Sequence, residues 1–398
     1  MPLGIGMLAG VFPPLIGGIQ THTLQLTRAL VERGVEVHVL TRHYPGLRRY
    51  ELISGVEVHR VGEAGLPRGL RAASYLAGAL AAMHRLRDRL HVLHAHQLYA
   101  PAAVGILGRA MLGRPLVLNP HSPVEIKSLG RLQRRCGDAF VSICEPIAEG
   151  LLRAGIPRER IHSIPNGVDT ERFRPATAAE RSELRRTLAI SQDPTIVYAG
   201  RLSRVKGIDV LLDAWPRLQD KARLCIVGGG EDEAGLRAQA DGLRNVRFVG
   251  AVRDTAPWLR AADAGVLPSR SEGLSIALLE AMSCGLPMVA TAVGGTAGAI
   301  DDGIEGLLVP PEDPGKLAAA LLRALETPSL GAAARARILA RHSIDRVADE
   351  FLALYHALCG LTPRAVACET GAPCRSSESS AVQASTTCPV SPASAGSG

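Results

Sequence analysis

The sequence is poor in aromatic residues, with two Trp, six Tyr and five Phe, about 3% of its 398 positions. So few rings leave little material for a platform on which the bases of single-stranded nucleic acid could stack, which disfavours that class of partner. Cysteine is sparse and scattered: none of the eight forms a C-x-x-C pair, and none clusters with histidine. Neither a cysteine-based zinc site nor a disulfide framework is indicated, and isolated thiols of this kind read as inert groups in a reducing cytosol. No apolar run reaches the ~18 uncharged residues that a membrane-spanning helix needs. The first 27 residues hold no Lys or Arg, so the basic start of a secretory signal is missing, and the apolar opening reads as a buried first strand. G-x-G-x-x-G is also absent, which argues against a nicotinamide or flavin dehydrogenase.

What is present is the composition of a folded enzyme, 46% hydrophobic and 21% charged, on a chain long enough for two to three domains. The formal charge of +7 is unevenly placed: residues 1–170 hold 20 basic and 12 acidic side chains, a net +8, and the remainder is nearly neutral. Such an N-terminal half suits something anionic, either a phosphorylated acceptor or a membrane surface. The stretch from Arg68 to Arg89 combines small and apolar residues with five arginines. It reads as an ordinary surface helix, with a helix lying on anionic lipid as the alternative.

Short apolar runs alternate with stretches of helical spacing. Strands are expected at 3–11, 35–40, 56–61, 91–95, 116–119 and 139–143, and again at 195–199, 223–227, 246–249, 264–267, 287–290 and 306–309, with helices such as 19–33 and 101–112 between them. This is the βαβ pattern of parallel sheets, so the fold class is α/β, with two doubly wound Rossmann-like domains facing a central cleft. The expected division is 1–180, 181–342, a C-terminal helix over 343–360 that finishes the second domain or crosses back to the first, and a disordered Ser-, Ala- and Pro-rich tail over 361–398.

Ligands of open parallel sheets bind beyond the carboxyl ends of the strands, so the chemistry is sought in that cleft. Gly17 and Gly18 stand between the first strand and a helix, where backbone amides can approach an anion; a plain tight turn would use the same residues. His121 closes a strand and begins a loop, from which an imidazole can point into the cleft. His94 and His96 share one strand face, but with no third ligand beside them in sequence they do not make a metal site. Arg201 and Lys206, in AGRLSRVKG, follow another strand and can neutralise a diphosphate as a nucleotide leaves. The densest pattern is PSRSEGLSIALLEAM, where Glu272 precedes a helix and Glu280 lies eight positions on, about two helical turns away, so the two can address different parts of one elongated ligand.

Together with the Gly17-Gly18 loop, RIHSIPNGVDTERF at 160–173, and LCIVGGGEDE, these strings make the chain resemble the retaining glycosyltransferases of family 4, over nearly all of residues 5–358. The resemblance implies the GT-B fold, with an acceptor-side N-terminal domain and a C-terminal domain that holds a nucleotide-sugar donor. It implies transfer of a hexose or hexosamine from a UDP- or GDP-sugar to a lipid-linked, glycan or small-molecule acceptor, with retention and without a catalytic metal or other cofactor. It further implies that Arg201 and Lys206 clamp the diphosphate, that Gly17 and Gly18 close on the phosphate, and that Gly273, Leu274 and Ser275 line the donor. Glu280 would bind the ribose, Glu272 the transferred sugar, and His121 the sugar hydroxyls. The chain departs from the family at Gly298, where Glu is frequent. The expected setting is cytoplasmic, with the basic half able to touch the inner face of a membrane. A nucleotide-sugar 2-epimerase and a catalytically silent sugar-nucleotide-binding partner are the alternatives.

Overall fold

The computed structural model describes residues 2–15 and 17–361. The expected tail, apart from Leu361, and its three cysteines lie outside the described residues. The first half is an eight-stranded sheet of β1 (Gly4–Ala9), β2 (Glu36–Arg42), β3 (Tyr50–Ile53), β4 (Val56–Val61), β5 (Val92–His96), β6 (Leu116–Asn119), β7 (Ala139–Ser142) and β8 (Ile161–Ser163), in the order 3-4-2-1-5-6-7-8. The second is a six-stranded sheet of β9 (Thr195–Ala199), β10 (Arg223–Val227), β11 (Val246–Gly250), β12 (Ala264–Leu267), β13 (Met288–Thr291) and β14 (Gly306–Val309), in the order 11-10-9-12-13-14. Helices cross between the strands, and every strand pair is parallel except β3 with β4. Two Rossmann-like domains result.

The central strands β1, β5 and β9 are buried along their whole length, which is why β1 and β9 read as largely apolar runs, while β5 also buries His94 and His96. Two strands escape that signature. β3 is an edge strand with alternating exposed and half-buried positions, joined to β4 by Ser54 and Gly55, both at positive φ. β8 is three residues long and half exposed. The helix expected over 68–89 runs from Arg68 to Arg85, and Tyr75, Ala79, Ala82 and Met83 turn its apolar side into the core. That side is therefore covered, and the lipid-lying alternative is left without it. No helix among the described residues is long and apolar enough to cross a membrane.

The last helix, Ile344–Leu358, starts at Ser343, whose Oγ accepts a hydrogen bond from the Arg346 amide. Ser343 pairs with Val168, and from there the helix lies on the first domain. Val347, Phe351, Leu354 and Tyr355 pack into the same core as Leu26 and Leu30 of helix Gly18–Glu32 and Met7 of β1. Each such side chain, fully buried, contributes about 1.5–3 kcal/mol. Arg33 ties the two helices at their ends through Asp349, at 2.5 Å, and Asp345, at 3.2 Å.

Candidate active site

The sequence-derived candidates gather where chain order reverses in each sheet. β10 and β11 extend outward from β9 while β13 and β14 extend outward from β12, and β1 and β5 form the same kind of switch in the first sheet. At such a point the loops leaving two neighbouring strands diverge and open a crevice. Gly17 and Gly18 follow β1, Arg201 and Lys206 follow β9, Glu272 to Ser275 follow β12, and His121 follows β6.

Lys206 ends a 3-10 turn that begins at Arg204 and is closed by Gly207 at φ +65°. A side chain at 207 would collide with the Pro268 carbonyl, so glycine here satisfies both the left-handed backbone and the close approach. That approach sets the turn against the loop after β12. Lys206 Nζ reaches Glu272 Oε1 at 2.6 Å, and Ser269 Oγ donates to the same oxygen, also at 2.6 Å. Glu272 is 8% exposed and the Lys206 side chain 25%. The pair is thus a charge-assisted hydrogen bond in a largely dry setting, and Glu272 Oε2 has no hydrogen-bond partner among the described residues.

The loop then crosses to the first domain. Gly273 lies so close to the His121 carbonyl that a Cβ there would overlap it, and its own carbonyl accepts from the Gly295 amide at 2.6 Å. Asn166, buried, donates from Nδ2 to the Leu274 carbonyl at 2.9 Å. Ser275 caps helix Ile276–Ser283 by accepting from the Leu278 amide, and Ile276 faces Gly18 across the domain junction. Helix Gly18–Glu32 begins at Gly17 with no side-chain cap and no acidic residue in its first turn. The amides of Gly18, Ile19 and Gln20, and those of Gly273, Leu274 and Ser275, have no hydrogen-bond acceptor among the described residues.

Glu280 lies inside that second helix, buried, with one long hydrogen bond from Thr255 Oγ1 at 3.4 Å. Burial pushes its pKa up to about 8, moderated by Arg172, so it is mainly protonated at neutral pH. Arg201 is exposed, and its guanidinium has no hydrogen bond or ion pair among the described residues. Gly298 is also exposed and faces open space, so nothing nearby would exclude a larger side chain there.

His121 is not alone. Its Nε2 is 3.1 Å from His96 Nδ1, the two rings are stacked, His94 stacks on His96, and His22 meets both His96 and His121 edge-on. The sequence-based view of His94 and His96 as a pair without a third histidine is corrected: helix Gly18–Glu32 and the loop after β6 bring two more. Desolvation lowers the pKa of His22 to about 4 and those of His94 and His121 to about 3, so these rings are neutral. Glu125 fixes the loop by accepting from the His121 and Leu98 amides. Ser269, Thr255, Asn166 and His22 were missed in the sequence because their partners lie far along the chain or because a single hydroxyl carries no signal.

Fold and site together define a class of α/β protein with two Rossmann-like domains and polar side chains grouped at the carboxyl ends of their strands. Residues 16–172 match the family described as Glycosyltransferase Family 4, and residues 193–327 match Glycosyl transferases group 1. D-inositol 3-phosphate glycosyltransferase of Xylanimonas cellulosilytica is 32% identical over 340 residues, covering 75% of this chain and 81% of that one. Anabaena HepE, solved in complex with UDP-glucose, superposes with a TM-score of 0.76 at 21% identity, covering 89% of this chain and 100% of its own. Sucrose-phosphate synthase from Thermosynechococcus elongatus superposes at 0.77 with 24% identity, covering 90% and 99%. The chain belongs to the family 4, group 1 glycosyltransferases, and its fold is GT-B.

Proposed function

We propose that this glycosyltransferase moves a hexose or hexosamine from a UDP- or GDP-linked donor to an anionic acceptor, with retention and without a catalytic metal. The observation that carries the reading is the Lys206–Glu272 pair at the carboxyl ends of β9 and β12, set opposite the uncapped start of helix Gly18–Glu32. On this reading Lys206 and Arg201 take the diphosphate from one side, and the amides at Gly17 and Gly18 take it from the other. Glu272, with Oε2 unengaged, faces the transferred sugar beside the amides of Gly273, Leu274 and Ser275, and Glu280 receives the ribose hydroxyls. His121 contacts a sugar hydroxyl.

The bond from the anomeric carbon to the phosphate oxygen breaks while a bond to the acceptor oxygen forms on the same face. The departing phosphate oxygen takes the acceptor proton. Preorganised cations and amides at the leaving group contribute on the order of 3 kcal/mol each to such a transition state. The acceptor class is supported by the excess of positive charge on residues 1–170 and by the inositol phosphate in the relative's name. We place the reaction in the cytoplasm, with a lipid-linked acceptor as an option for the basic half.

The test is nucleotide release from UDP-, GDP- and ADP-sugars, alone and with an inositol phosphate or a cell extract, alongside Glu272→Ala. Acceptor-dependent release from one donor, lost in the variant, is expected, with product anomeric configuration read by NMR. Conversion of donor to an isomeric sugar without acceptor would select the epimerase instead. Binding without turnover on any acceptor would leave a silent partner.

A further inference from the structure

The same four residues, Val-Glu-Val-His, stand at 35–38, where they lead into β2, and at 56–59, where they open β4. The strands are parallel neighbours, with His38 opposite Glu57 and Leu40 opposite His59. Alternation along a strand therefore places both glutamates and both histidines on one face. The valines fill the other face, in the core beneath helix Gly18–Glu32.

On the polar face three ligand atoms close into a triangle. His38 Nδ1 is 3.4 Å from His59 Nε2 and 3.5 Å from Glu57 Oε2, and Glu57 Oε2 is 3.8 Å from His59 Nε2. The point in their plane equidistant from the three lies about 2.1 Å from each, a zinc–nitrogen or zinc–oxygen bond length, and a small displacement of the ion out of that plane toward a fourth ligand gives the tetrahedral arrangement. The surrounding groups are arranged as supports for such ligands. His38 Nε2 is 3.0 Å from Glu36 Oε1, which fixes the ring and leaves Nδ1 with its lone pair turned to the triangle. Arg89 takes Glu57 by the other oxygen, Oε1, at 2.6 Å, and also pairs with Glu36. Glu57 Oε2 is thereby left for the ion. His38 is fully buried while Glu57 and His59 are partly exposed, so a fourth position faces solvent.

We propose that His38, Glu57 and His59 bind one zinc-class divalent ion, which pins β4 to β2. None of the three is among the residues gathered around Glu272, so the ion is a structural clip on the first domain and takes no part in transfer. Two imidazoles and a carboxylate favour zinc over magnesium or calcium, which prefer oxygen ligands.

The test uses the full chain, stripped with a chelator and titrated with Co²⁺ and then Zn²⁺. One equivalent is expected to bind at micromolar concentration, with the visible absorption of tetrahedral cobalt and no thiolate charge-transfer band. His59→Gln, at a partly exposed position that tolerates an amide, should weaken binding at least tenfold while circular dichroism stays native. Glu36→Gln should weaken it by about 10–100-fold without changing the stoichiometry. Zn²⁺ should raise the melting temperature of the native chain and leave that of His59→Gln in place. Failure of the stripped chain to take up either ion would overturn the proposal and leave an ordinary histidine–histidine hydrogen bond. Uptake unaltered in His59→Gln, or uptake showing thiolate charge transfer, would place the ion elsewhere and overturn it equally.

Discussion

Replacing Lys206 with Met keeps the aliphatic stem and removes the ammonium that lies 2.6 Å from Glu272. Glu272 is then an almost dry carboxylate held only by Ser269. Stripping one partner from a buried pair typically costs about 3–5 kcal/mol. Lys206 is a quarter exposed, so water can enter the vacated space, and the expected loss is about 2–3 kcal/mol. At ~2 cal/mol/K per residue over the described chain, that is on the order of 3–4 °C in melting temperature. Glu272→Gln removes the charge but leaves an amide that Ser269 can still engage. Lys206→Met combined with Glu272→Gln should therefore be more stable than Lys206→Met alone, with a coupling of about 2 kcal/mol in the double-mutant cycle. Scanning calorimetry of the four proteins measures it. Additivity within about 0.5 kcal/mol would refute the pair as an energetic unit. Lys206→Met should also weaken UDP binding by about 10–100-fold, the weight of one hydrogen bond to a charged group, and unchanged affinity would remove Lys206 from the diphosphate.

Glu280 and the histidine cluster give opposite dependences on pH. The Glu280 carboxyl is raised from 4.5 to about 8 in the folded chain, so its stabilising neutral form is fully present below 4.5 and its contribution is lost as pH rises through 8. Glu280→Gln should accordingly gain stability over the native chain between pH 6 and pH 9, and parallel melting curves across that range would count against a buried neutral acid. The rings of His22, His94 and His121 are lowered from 6.5 to between about 3 and 4, so their contribution is present above 6.5 and is lost as pH falls toward 3. Melting temperature should fall from pH 7 to pH 5, with hydrogen exchange in β5 and β6 accelerating first, and a flat profile would contradict the burial of neutral imidazoles.

The parallel core was readable because strands buried on both faces are apolar at nearly every position, as in Leu116–Leu118 and Ala264–Leu267. β3 and β8 were not, since an edge strand such as Tyr50–Ile53 keeps half its side chains in water. At the site, Glu272 and Ser275 stood out because turn, cap and helix follow within a few residues. The Lys206–Glu272 bond spans 66 positions, and nothing local in either segment announces it. His22, His94, His96 and His121 come from three separate segments, and only the sheet brings them together. The paired Val-Glu-Val-His strings are visible in the sequence, but their meaning depends on β2 and β4 being neighbours in parallel register, which periodicity alone does not specify.

The last helix is made after the second domain yet completes the core of the first. During synthesis the segment through Phe173 is finished 185 residues before Leu358, an interval of about 10–40 s at 5–20 residues per second. Through that interval the bed formed by Leu26, Leu30 and Met7 lacks its cover of Val347, Phe351 and Tyr355. The nascent first domain thus presents an open apolar groove to the cell while the second is being made. A ribosome stalled within the second domain would release a fragment whose fate is set by chaperones and proteases, and the enzyme matures only when its final helix arrives.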